Sequence, residues 1–98
     1  MPTWEKTDQF KRDEKTLTED ERKKLKAAVA KFRDDLATGR GFRPGLRVKP
    51  MQDAEGIFEM TWEIKDGRAT FEYGTPLTEG VTHIIWRRVG GHGIFGNP

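Results

Sequence analysis

The chain has 98 residues, enough for one domain with a single core, and it has no cysteine, which excludes disulfides, thiolate metal sites and a cysteine nucleophile. Its formal charge of +2 does not announce nucleic acid, while three Trp, six Phe and one Tyr supply the apolar surface that a disordered chain lacks. No apolar run approaches the roughly 20 residues that span a bilayer, and the polar start Met1-Pro2-Thr3-Trp4-Glu5-Lys6 lacks a signal-peptide core, so a cytoplasmic location is expected.

In chain order, Trp4 falls in a candidate short edge strand. Thr7 to Lys15 reads as a short helix with Phe10 and Leu17 as its apolar anchors. Thr18-Glu19-Asp20-Glu21 is a capping box, in which the Thr18 hydroxyl takes a free amide and Glu21 reaches back. It predicts a helix over 19–37, with Leu25, Ala28, Val29, Phe32 and Leu36 on one stripe and Gly39 suited to the left-handed position that ends helices. The next segment is cationic: Arg40, Arg43, Arg47 and Lys49 occur with no acid among them. Leu46 to Lys49 is a candidate strand.

From Ile57 the period changes to two. Phe58, Met60, Trp62 and Ile64 face one way, and Glu59, Thr61 and Glu63 the other. Asp66-Gly67 signals a tight hairpin into Arg68 to Tyr73, where Phe71 and Tyr73 alternate with Arg68, Thr70 and Glu72. His83 to Val89 is a strand rich in β-branched and aromatic residues. The expected architecture is a single α+β domain over residues 1–98: an N-terminal helical hairpin packed on one face of a three- to four-stranded antiparallel sheet. The other face, free for binding, would display Arg47, Lys49, Glu59, Thr61, Glu63, Arg68, Thr70 and Glu72. Mixed charge of this kind is most often a solvated surface.

The sharper chemical signal is His92. It follows Gly90-Gly91 just past the last strand, where the backbone turns tightly and sets an imidazole near Arg87 or Arg88. An imidazole suits proton transfer, and guanidinium groups stabilise a phosphorane-like transition state. His83, at a strand start, reads as structural or exposed. Other schemes have no footing. There is no Ser, no Gly-rich phosphate loop and no His-Glu-x-x-His motif. Two histidines nine residues apart are weak as a metal pair, so metal-free acid–base chemistry remains.

Taken in order, Phe10-Lys11-Arg12-Asp13, Leu17-Thr18, Lys49, Gly56-Ile57-Phe58-Glu59-Met60, Gly67-Arg68 and Arg88-Val89-Gly90-Gly91-His92-Gly93-Ile94-Phe95 form a pattern over about residues 4–95. This pattern resembles the RelE-like toxins of type II toxin–antitoxin modules, the YafQ-like branch in particular. The resemblance implies the RelE-like fold and an mRNA endoribonuclease, often acting on messages at the ribosome. It also implies a cognate antitoxin partner and no metal or other cofactor. By position it implies His92 as general acid or base, with Arg68 and Arg88 as the other catalytic residues. Lys49, Arg47, Arg43, Arg40 and Arg87 would contact RNA phosphates, and Phe95 would stack on a base.

Three departures accompany the likeness. Gly91 stands where relatives carry Thr, the His92 to Phe95 spacing is one residue shorter than in some relatives, and Arg43-Pro44-Gly45 offers no general-base glutamate. A base is not assigned: Glu59 is a substitute only if it faces the groove, and it is not expected to serve. Two rival readings stay open: a domain of this fold that binds RNA, ribosome or antitoxin without cleaving, and a structural or regulatory partner with a solvated sheet face.

Overall fold

The computed structural model describes residues 2–98. Strand β1 (Thr3–Lys6) leads into helix α1 (Asp8–Thr16) and helix α2 (Glu19–Thr38). After a 3-10 turn at Pro44–Leu46 come β2 (Lys49–Pro50), β3 (Ile57–Glu63), β4 (Gly67–Tyr73) and β5 (His83–Gly90), and a second 3-10 turn, His92–Gly96, follows.

Both helices start where the side chains predict. The Thr7 hydroxyl accepts from the Phe10 amide. Thr18 accepts from the Glu21 amide at 3.1 Å while the Glu21 carboxylate accepts from the Thr18 amide at 2.8 Å, completing the capping box. Gly39, at φ 70°, ends α2 in the left-handed conformation that glycine adopts without steric cost.

The sheet order is β1-β5-β4-β3-β2. It corrects the expected three- to four-stranded antiparallel sheet: there are five strands, and β1 pairs parallel with β5. That pairing joins the two ends of the sequence, which no local pattern encodes. The Leu46–Lys49 strand is also displaced. Leu46 closes the 3-10 turn and Arg47 is left-handed at φ 47°, so pairing begins only at Lys49, opposite Glu59.

Helix α1 packs on β5 and α2 on β3. Between helices and sheet lie Phe10, Phe32, Met60, Phe71 and Trp86, with Phe32 at 4.9 Å from Phe71 and 5.0 Å from Trp86 between ring centroids. A register shift in β3 between Thr61 and Glu63 alters the simple alternation. Past it, Glu63 turns towards α2 and accepts from Lys24 at 2.9 Å, while Ile64, expected in the core, is 73% exposed. A slip of one residue exchanges the faces of every later side chain.

Candidate active site

On the sheet face opposite the helices lies a groove of about 760 Å³, lined among others by Arg47, Lys49, Glu59, Thr61, Arg68, His92 and Phe95. These residues come from the segment before β2, from β2, β3 and β4, and from the C-terminal turn.

Arg68 is the second residue of β4 and is 7% exposed. Its Nη1 donates to the carbonyls of Glu63 and Gly67, each at 2.9 Å, which fixes the guanidinium at the hairpin end of the groove. Among the described residues neither Arg68 nor Arg47 is in an ion pair. Lys49 stands 3.7 Å from Glu59, whose side chain is largely covered and faces the groove.

His92 has a partner that the sequence reading used only as a turn residue. Asp66 Oδ1 accepts from the His92 backbone amide at 3.0 Å and lies 2.5 Å from His92 Nδ1. An ionised carboxylate only accepts, so Nδ1 carries the proton and Nε2 is left for chemistry. The His92 amide, then the His92 side-chain bond, hold the Asp66 carboxyl below its ordinary value, with the Arg68 charge adding to the effect. The ring of Phe95 meets that of His92 edge to face at 5.5 Å.

Gly91 is explained by the same contact. A Cβ at this position would overlap the Asp66 carboxylate in its present place, so a side chain before His92 would push that carboxylate aside. The departure from Thr at this position therefore accompanies Asp66 in its present seat.

The remaining predicted residues lie elsewhere. Arg88 does not line the groove: its Nε donates to Asp13 Oδ2 at 2.7 Å and its Nη1 to the Asn97 carbonyl at 2.9 Å. Asp13, on α1, also accepts from the Val89 amide at 3.1 Å, so it satisfies the β5 edge where β1 has ended. Burial would raise the Asp13 carboxyl, but hydrogen bonds from Arg88, Gln9 and the Val89 amide and the Arg88 charge outweigh burial and hold it below its usual value. Arg87 pairs with Glu72 at 2.6 Å and donates to the Pro98 carbonyl. Arg87 and Arg88 thus hold the segment after His92 against the sheet.

Arg43 makes a two-pronged contact with Asp35, whose carboxyl falls to about 2 because of the Arg43 side-chain and backbone hydrogen bonds. Arg40 is exposed and does not line the groove. His83 is buried, with Nδ1 2.7 Å from the Thr3 hydroxyl and Nε2 2.7 Å from Glu5, so it ties β5 to β1. Among the described residues no three His, Asp or Glu side chains gather as a metal-binding group.

No family model and no curated protein matches this sequence. Solved structures do match. A chain of the Escherichia coli DinJ-YafQ toxin-antitoxin complex superposes with a TM-score of 0.67 at 18% identity, covering 94% of this chain and 93% of that one. YafQ from Escherichia coli strain BL21(DE3) gives 0.64 at 18% identity, covering 97% and 98%. A chain of the RelB-RelE antitoxin-toxin complex from Methanococcus jannaschii gives 0.59 at 17% identity over 94% of each chain. The fold is that of the RelE-like toxins. Within the RelE-like fold, this chain places His92, Arg68, Lys49, Arg47 and Phe95 on one groove, with Arg40, Arg43, Arg87 and Arg88 outside it. No helix among the described residues is long and apolar enough to cross a membrane.

Proposed function

We propose that this chain is the toxin of a type II toxin–antitoxin pair and a metal-independent mRNA endoribonuclease, held silent by a cognate antitoxin. The observation that carries the proposal is the convergence of His92, Arg68, Lys49, Arg47 and Phe95 on one groove of a RelE-like fold.

The reaction is attack of a ribose 2′-oxygen on its own 3′-phosphate. The bond from phosphorus to the next 5′-oxygen breaks, leaving a 2′,3′-cyclic phosphate and a 5′-hydroxyl. In its doubly protonated form His92 donates from Nε2 the proton that the departing 5′-oxygen needs, while Asp66 keeps the imidazole oriented through Nδ1. Arg68, pinned by two carbonyls and unpaired with any described carboxylate, faces the charge that develops on the phosphoryl oxygens. Lys49 and Arg47 hold neighbouring phosphates, and stacking on Phe95 contributes about 1–3 kcal/mol per base.

The proton of the 2′-hydroxyl goes to Glu59. It and Asp53 supply the side-chain carboxylates that line the groove among the described residues, and Glu59 is the one set on a strand and largely covered, as positioned acid–base groups require. The RNA phosphate displaces Lys49 from Glu59 on binding and frees the carboxylate. Arg87 and Arg88 act on the site indirectly, by seating the segment that carries His92 and Phe95.

Expression of the wild type and of the His92→Ala and Arg68→Ala variants tests the reading by growth arrest and by mapping of cuts in cellular mRNA. Arrest with new 5′ ends, both lost in the variants, is expected. A wild type that cuts no RNA with ribosomes present contradicts it.

A further inference from the structure

A second concave surface lies on the helix side, remote in chemistry from the groove that holds His92. Because α1 packs on β5 and α2 on β3, the two helices leave an opening of about 360 Å³ floored by Trp86 and Phe10 and walled by Leu25 and Val29 of α2. Among the described residues the sheet ends at β1, so Trp4 flanks this opening at the sheet edge and stays 49% exposed. A half-exposed Trp beside a preformed apolar pocket is the composition of an interface anchor site.

The rim is cationic. Lys6, Arg22, Lys26 and Arg33 line the opening, and the one acid there, Glu14, is taken by Lys6 at 2.8 Å. Arg22 spends its donors on the carbonyls of Glu14 and Lys15. Lys26 and Arg33, both exposed on α2, are in no ion pair among the described residues. Apolar floor and unpaired cations together call for apolar side chains flanked by carboxylates.

We propose that this opening docks an acidic amphipathic segment of a partner protein, with two or three aliphatic side chains in the pocket and carboxylates on Lys26 and Arg33. A protein segment suits the site better than RNA. The walls are aliphatic, and the Lys6 ammonium lies 5.6 Å from the Trp4 ring centroid, occupying the face on which a base would stack. The proposal rests on this surface alone and not on the nuclease reading.

The test uses the full-length His92→Ala chain, so that any nuclease activity is irrelevant, and two synthetic helical peptides of about 20 residues. Both carry Leu at i, i+3, i+4 and i+7; one has Glu on its flanks, the other Lys. Binding is followed by tryptophan fluorescence and by amide chemical shifts. The Glu-flanked peptide is expected to bind and to shift the Trp4 indole resonance, with affinity falling as salt rises. Trp4→Ala is expected to weaken it by about tenfold or more. Lys26→Glu with Arg33→Glu is expected to exchange the preference in favour of the Lys-flanked peptide. Equal binding of the two peptides, or affinity unchanged in both variants, overturns the proposal. So does single-stranded RNA that shifts the Trp4 resonance while the Glu-flanked peptide does not.

Discussion

Asp66 and His92 stand 26 residues apart in the chain, yet one carboxylate oxygen of Asp66 meets both the backbone amide and Nδ1 of His92. The hairpin turn between β3 and β4 thereby sets both the position and the tautomer of the imidazole. The pair is exposed on both sides, so its worth lies in orientation and proton placement, not in stability.

Removing either member should therefore affect cleavage and leave the fold intact. His92→Ala is expected to slow RNA cleavage about 100- to 10,000-fold, and Asp66→Ala to slow it by roughly 10- to 1,000-fold, with thermal midpoints near that of the wild type. Single-turnover cleavage rates and melting curves of the purified variants check this.

Gly91 should tolerate no side chain while Asp66 keeps its seat. Gly91→Ala is expected to lower the cleavage rate as Asp66→Ala does, because the added Cβ overlaps the carboxylate. The double variant Gly91→Ala with Asp66→Ala is then expected to be no slower than Asp66→Ala alone, a non-additivity that a double-mutant cycle measures.

Arg88 and Arg68 should separate cleanly. Arg88→Ala and Asp13→Ala break a largely buried pair and leave the Val89 amide or the Asp13 carboxylate without its partner, at about 2–4 kcal/mol of stability by urea denaturation. Arg68→Ala is expected to cost at least tenfold more in cleavage rate than in any binding constant for RNA, because in the proposed mechanism it meets charge that develops only in the transition state.

Acid should unfold the protein partly through Asp13. Its folded value lies below the unfolded value of 3.8, so its contribution is complete above that value and is lost as pH falls through the folded one. In Asp13→Ala the decline of stability below about pH 4 is expected to be shallower than in the wild type, as equilibrium denaturation at a series of pH values reports.

Glu59 carries the assignment of the base. Glu59→Gln is expected to reduce cleavage about 100-fold or more without weakening RNA binding, whereas Glu59→Asp keeps part of the rate. Equal cleavage by Glu59→Gln and wild type removes Glu59 from the mechanism.

Local chemistry made much of this legible in the sequence. The Thr18–Glu21 box and the Leu25-to-Leu36 stripe encode α2, and the alternation from Phe58 to Trp62 encodes β3, because both signals act within a few residues. The cationic and aromatic members of the groove, Lys49, Arg68, His92 and Phe95, were found from their order along the chain. Long-range geometry was not legible. The parallel β1–β5 pairing, the register shift that turns Glu63 to α2, and the seating of Arg88 on Asp13 each join segments that share no local pattern. Asp66 was visible as half of an Asp-Gly turn, and that explanation was sufficient until folding brought it to His92. The bare Gly91 was the one signal of a close neighbour.

The most direct test of the central claim is the end chemistry of RNA cut by the purified protein with ribosomes present. A 2′,3′-cyclic phosphate and a 5′-hydroxyl are expected in the presence of a metal chelator, with no cutting when the ribose at the cut site is 2′-deoxy and none above background for His92→Ala. Cleavage that survives the 2′-deoxy substitution, or ends bearing a 3′-hydroxyl and a 5′-phosphate, would contradict it.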